Sequence, residues 1–167
     1  MIRTFPIIVA AAVLAACQAS RPPPNSDAPE QQIRALLDRW QKAFENHDPA
    51  GAMSIYLPGD SVAVYDLSST VRGNDALRQD YARFFDRFKG PVHSELRDLH
   101  IVAGPQVAFS YYFQGISGTL KDGTKTRTWI RVTQGYRLVN GRWFAVHDHV
   151  SVPIDPKTRM GQFQLAP

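Results

Sequence analysis

At 167 residues, 44% of them hydrophobic, the chain has the length of one domain and enough apolar material for an ordinary core. Its formal net charge is +4, and the basic residues are scattered, with no Lys/Arg run and no aromatic-basic interleaving, so nucleic acid is not an expected partner. A single cysteine excludes an internal disulfide, and the chain has no Gly-rich phosphate loop, serine nucleophile elbow or Cys-His pair, which disfavours nucleotide-dependent and hydrolase chemistry.

The first residues read as an address rather than as part of a fold. Arg3 supplies a positive start, Phe5 to Leu14 an apolar run too short to span a bilayer, and Leu14-Ala-Ala-Cys17 a small-residue cleavage site ending in cysteine. The run resembles the bacterial lipoprotein lipobox, which implies a signal peptide over 1–16 and a mature chain beginning at a lipidated Cys17. Gln18 stands where an aspartate, in enteric bacteria, would suggest retention at the inner membrane. The expected location is therefore the outer membrane, facing the periplasm, with plain secretion into the periplasm as the alternative. Losing the leader removes Arg3 and lowers the formal +4 by one. Residues 17–27, with Pro22, Pro23 and Pro24 and no apolar periodicity, are expected to be a tether.

A domain is expected over 28–153. Asp27 can cap a helix on which Ile33, Leu36, Leu37, Trp40 and Phe44 fall on one face. His47, Asp48 and Pro49 end it and start a short second helix that carries Met53, Ile55 and Tyr56. Residues 61–66 alternate as a strand with Val62, Val64 and Asp66 on one face. Gly73 and Asn74 open a third helix with Leu77, Tyr81, Phe84, Phe85 and Phe88 as its apolar stripe, closed by Gly90 and Pro91. From there the pattern turns to strands, at about 92–102, 106–115, 124–138 and 142–152, with turns at Gly104-Pro105, at 121–123 and at Asn140-Gly141. The tail, 154–167, is polar and interrupted by proline, and is expected to be loosely docked. The fold class is α+β: a cone of three N-terminal helices packed on a curved antiparallel sheet.

Residues 143–153 combine the strongest strand signal with a cluster of ionisable groups. Asn140-Gly141 has the sequence of a two-residue type I′ turn, which pairs Val139 with Arg142, Leu138 with Trp143, Tyr136 with Ala145, Gln134 with His147 and Val132 with His149. In that register His147 and His149 share a face with Gln134, while Asp148 lies on the other with Arg131 and Thr133. The histidines read either as structural groups or as parts of a pocket.

The order of these elements, together with His47-Asp48, the strand ending in Asp66, Arg72-Gly73 before the third helix, and the terminal run Trp143 to Pro153 with its His147-Asp-His149-Val-Ser151, resembles the nuclear transport factor 2-like superfamily. Within it the chain is similar to the SnoaL-like and ketosteroid isomerase-like proteins, and its last strand to that of the calcium/calmodulin-dependent kinase association domain. The resemblance covers roughly residues 30–153. It implies a pocket between helices and sheet, and a homodimer made through the sheet. It also implies a base at Asp66. In the ketosteroid isomerase pattern a tyrosine and a protonated aspartate donate to the substrate oxygen. Trp40 stands at the tyrosine position and Gln134 at the acid position, so that oxyanion hole is not reproduced and steroid isomerisation is not implied.

The expected function is a lipid-anchored envelope protein whose pocket holds a small, mostly apolar molecule. Asp66 as general base and His147 or His149 as its acid partner would move a proton, in an isomerase, dehydratase or cyclase reaction. Trp40, Tyr56, Tyr81 and Gln134 are the expected ligand-binding residues. Asp66 reads equally as a strand-end turn residue. The alternatives are a non-catalytic binding module and a homodimeric assembly domain, the latter favoured if Trp129, Phe144 and Val150 lie exposed on one sheet face. No cofactor is expected. A metal site at His147 and His149 would need Asp66 or His93 as a third ligand, and no spacing selects either.

Overall fold

The computed structural model describes residues 27–167; the expected signal peptide, Cys17 and the tether up to Ser26 lie outside the described residues. The first element, α1 (Asp27–Glu45), buries Ile33, Leu36, Leu37, Trp40 and Phe44, the stripe expected from their spacing. Removing each such side chain from water stabilises the fold by ~1.5–3 kcal/mol. The helix stops where His47 adopts a left-handed backbone (φ 55°), and Asp48 then caps α2 (Pro49–Met53) by accepting a hydrogen bond from the Gly51 amide at 2.9 Å, with Pro49 in the first turn.

Two short strands, β1 (Ala63–Tyr65) and β2 (Thr70–Arg72), precede α3 (Asn74–Phe85). Four long ones follow: β3 (His93–Ala103), β4 (Val107–Thr119), β5 (Lys125–Val139) and β6 (Arg142–Ser151). They form one six-stranded sheet in the order β2-β1-β6-β5-β4-β3. Neighbours are antiparallel except β1 and β6, which are parallel, so the sheet is mixed rather than antiparallel throughout. The antiparallel expectation fails here because β1 follows a helix and reaches the edge of β6 by a crossover, a long-range pairing that its three residues do not announce. The helices cover the inner face of the sheet. There α1 is tied to β3 by the Gln41 amide, which donates to the Ser94 carbonyl, and by Glu45, which accepts from the Ser94 amide at 3.0 Å.

The β5–β6 hairpin begins as expected and then departs. Val139 pairs with Arg142, Leu138 with Trp143 and Tyr136 with Ala145, but Gly135 pairs with His147, Gln134 with Asp148 and Thr133 with His149. Val146 is the extra residue of a β-bulge, and everything beyond it on β6 is turned over. The expected pairing of Gln134 with His147 and of Val132 with His149 is therefore corrected: Val132 pairs with Val150. The bulge falls where β6 changes its outer neighbour. Ala145 bridges to Tyr56 just after α2, exchanging bonds with Leu57 and Ile55 at 2.9 and 2.8 Å, whereas His147 pairs with Ala63 of β1.

The tail is held more firmly than its composition suggests. Phe163 accepts a hydrogen bond from the Trp129 amide, and the Gln162 amide donates to the Pro153 carbonyl, both at 2.8 Å, which continues the sheet along β5 beyond the end of β6. Trp129 itself is buried over Gly115, with the Arg97 and Arg127 guanidinium groups 4.7 and 5.7 Å from its ring centre. Val150 lines the interior cavity. Two of the three residues expected to mark an assembly face are thus used inside the chain.

Candidate functional site

A cavity of about 120 Å³ lies between α1, α3 and the inner face of the sheet. Trp40 enters it from α1, Tyr56 from the segment after α2, Tyr81 from α3, Gln134 from β5 and Asp148 from β6. The four residues expected to bind a ligand are brought together. Their acidic partner is one that sequence reasoning placed on the opposite face. Asp66 lines the rim, exposed, with its carboxylate accepting from the Leu67 amide at 2.8 Å and its own amide donating to Ser69, the bonding of a turn residue.

His147 and His149 lie on the other side of the sheet, a correction that follows from the bulge. The His147 ring is 2.8 Å from the Ala63 carbonyl, which can only accept, so Nδ1 carries the hydrogen, and the ring stands edge-on to Tyr65 at 5.0 Å. His149 is exposed, 6.3 Å from the same tyrosine. Neither lines the cavity. No three His, Cys, Asp or Glu side chains are grouped to hold a metal ion among the described residues.

The centre of the cavity is a hydrogen-bonded line. The Trp40 indole N–H donates to Tyr81 Oη at 2.9 Å, the Tyr81 and Tyr56 hydroxyls are 3.0 Å apart, and Tyr56 Oη donates to Asp148 Oδ2 at 2.5 Å. An indole N–H only donates, and an ionised Asp148 only accepts, so the single proton of Tyr56 goes to Asp148 and that of Tyr81 goes to Tyr56. Every donor then points toward the carboxylate. Asp148 is 7% exposed, and its second oxygen, Oδ1, has no hydrogen-bond partner. Gln134 lies opposite, its Oε1 occupied by the Tyr136 hydroxyl at 2.7 Å, which in turn meets Ser110 at 2.8 Å.

Burial pushes the Asp148 carboxyl from 3.8 up to about 6, against the pull of the Tyr56 hydrogen bond, of Gln134 and of the His147 charge, and with a small further push from Asp66. Burial, and then the Asp148 charge, raise both Tyr56 and Tyr81, so both phenols stay protonated and act as donors. The arrangement supplies a carboxyl that gains and loses a proton near neutral pH, held at one oxygen and free at the other. Below pH 6 a proton on Oδ1 would make Asp148 a donor beside Tyr56, a phenol and carboxylic acid pair built from positions other than Trp40 and Gln134. Asp148 was missed because strict alternation put it outside. The one pointer in the sequence was Gly135, a glycine inside a strand pattern, which often marks a bulge.

Residues 33–155 match the family model of the SnoaL-like domain. No curated protein matches the chain. Among solved structures, the chain is similar to a nuclear transport factor 2-like protein of unknown function from Pseudomonas putida, with 28% identity over 85% of this chain and 99% of that one and a TM-score of 0.75. A nuclear transport factor 2-like superfamily protein from Salmonella enterica shares 17% identity over 81% of this chain and 99% of its own, with a TM-score of 0.73. A provisionally assigned dehydratase of that family from Streptomyces avermitilis shares 16% over 78% and 99%, with a TM-score of 0.69.

Proposed function

The chain belongs to the SnoaL-like family within the nuclear transport factor 2-like superfamily, a fold whose members include isomerases and dehydratases, and from that premise we propose that its cavity binds a small, mostly apolar molecule by an oxygen atom and transfers a proton through Asp148. The observation that carries this reading is the pairing of Asp148 with Tyr56 in an aromatic cavity, one carboxyl oxygen held and the other without a partner. Ionised, Asp148 is a base able to take a proton next to a carbonyl group. Protonated, it returns that proton or donates to the substrate oxygen. Tyr56, Tyr81 and Trp40 position it, and Asp66 at the rim takes no proton in this scheme.

The test is exchange of α-protons for deuterium in a panel of apolar ketones, followed by NMR in D₂O, with binding read in parallel as protection against heat. Exchange by the wild type that Asp148→Asn abolishes while binding persists supports the reading. Binding without exchange in either protein makes the cavity a carrier. Absence of binding across the panel contradicts the proposal.

Two further expectations belong to the same proposal. A lipid at Cys17 would tether the domain to the outer membrane on its periplasmic side, and membrane fractionation of Cys17→Ser tests it: retention equal to wild type contradicts it. The outer face of the sheet, where Val107, Phe109 and Tyr111 are 62%, 44% and 46% exposed, would serve as a homodimer face. Light scattering that gives a monomer mass at all concentrations would refute that.

A further inference from the structure

A second cavity, of about 280 Å³, adjoins the first and shares Asp66, Phe84, Ile116 and Ile130 with it as walls. Its outer walls include Phe88, Leu120 and Phe163. Phe88 is fixed by a bridge to Leu120 and by Gly118, where a Cβ would come within 2.8 Å of its ring. Phe163 comes from the tail, beyond the residue at which the family match ends. Its position is set by backbone bonds: its carbonyl takes the Trp129 amide, Gln162 bonds to Pro153, and Ile154 bridges to Gly161. A Cβ at Gly161 would meet the Phe163 ring at 2.9 Å and Val152 at 3.1 Å, so the glycine lets the ring lie down at this place.

The deep cavity alone is small for an organic ligand, since pockets that take such molecules measure roughly 300–1,000 Å³. The two together enter that range. Resting on the reading of Asp148 above, we infer that they form one bipartite site, and that Phe163 is a specificity-determining wall of its outer half. The substrate class is then an elongated molecule with an oxygen-bearing head at Asp148 and Tyr56 and an uncharged apolar body that passes Phe84 and ends beneath Phe163. The two charged groups on its walls, Asp66 and Arg87, are exposed and opposite in sign, so the walls favour no net charge and the body's far end is uncharged.

A series of para-alkylphenols reads both halves at once, because the phenol probes the head site and the alkyl chain the outer one. Calorimetric titration of wild type with para-cresol and with para-propyl-, para-pentyl- and para-heptylphenol should show affinity rising by up to about fourfold for each methylene buried. Phe163→Ala, which opens the outer half, and Leu120→Trp, which fills it, should both flatten that rise and leave para-cresol binding unchanged. An undiminished rise in both variants, or a flat series in wild type with para-cresol bound, overturns the inference while leaving the head site standing. Failure of para-cresol itself to bind wild type overturns the head-site reading and the extension with it.

Discussion

His147 and Asp148 are adjacent on one strand, and the sheet separates them completely. The histidine lies on the outer side, its ring bonded to a backbone carbonyl and leaning on Tyr65, where water and neighbours offer little reason for chemistry. The aspartate lies on the inner side among Tyr56, Tyr81 and Trp40, where burial outweighs the pull of the Tyr56 hydrogen bond and lifts its carboxyl to about 6. Residue type is a poor guide beside placement: the side chain with the ordinary pKa nearest neutrality is idle, and the one usually ionised throughout the physiological range is made to titrate there. A single extra residue, Val146, decides which is which.

The largest effect should come from changing the residue count beyond that bulge. Inserting an alanine between His147 and Asp148 shifts every later side chain of β6 by one position, which would bring His149 to the cavity and send Asp148 and Val150 outward. The expected result is loss of all ligand binding and a stability loss of ~3–5 kcal/mol, because a packed inner face is exchanged for polar groups without partners. Urea unfolding of the variant checks it, and a fully stable variant that still binds would show that the register of β6 beyond the bulge is not what places the site.

Asp148→Asn comes next, and its sign depends on pH. Raised from 3.8 to about 6, the folded carboxyl holds its proton more tightly than the unfolded one. Stability is therefore greatest when the group is protonated, falls as pH rises from 3.8 through 6, and stays low above. Ionising the group inside the fold costs about 3 kcal/mol. The asparagine variant should thus be more stable than wild type by about that amount at pH 8 and nearly equal to it at pH 3.5, as thermal unfolding at the two pH values would show, while proton exchange drops by ~10²–10⁴-fold. In the wild type the exchange rate should climb with pH through about 6 and level off above it, since the base is the ionised form.

Tyr56→Phe sharpens the comparison from the other side. It removes the hydrogen bond that restrains the carboxyl, so the Asp148 pKa should rise further and the pH–rate profile should shift to higher pH, with a stability cost of ~1–2 kcal/mol. The smallest effects are expected on the outer face. His149→Gln should change stability by less than ~0.5 kcal/mol and leave exchange untouched. A substantial loss of exchange in that variant would return the histidine to the site.

Much of the fold was legible in the residues. The stripe of α1 repeats at helical spacing, Asp48-Pro49 and Gly73-Asn74 start helices for local reasons, and Asn140-Gly141 sets the hairpin turn. These signals act within a few residues. What was not legible depends on partners far along the chain: the parallel docking of Ala63–Tyr65 on β6, the return of Phe163 to the Trp129 amide, and the bulge where β6 passes from one outer neighbour to the next. The site followed the same division. Trp40, Tyr56, Tyr81 and Gln134 lie where local periodicity puts them, whereas Asp148 was concealed by a shift of one residue that alternation cannot register, with Gly135 the lone sign of it.

The claim on which the rest depends is that Asp148, and not the histidines beside it, is the group that titrates in the cavity. Carbon-detected NMR of protein labelled at the aspartate carboxyl carbon measures this directly, with the resonance assigned by its disappearance in Asp148→Asn. The account predicts a midpoint near 6 that moves upward in Tyr56→Phe and is unmoved in His149→Gln. A midpoint at the ordinary carboxylate value of 3.8, unmoved by loss of the Tyr56 hydroxyl, would contradict it.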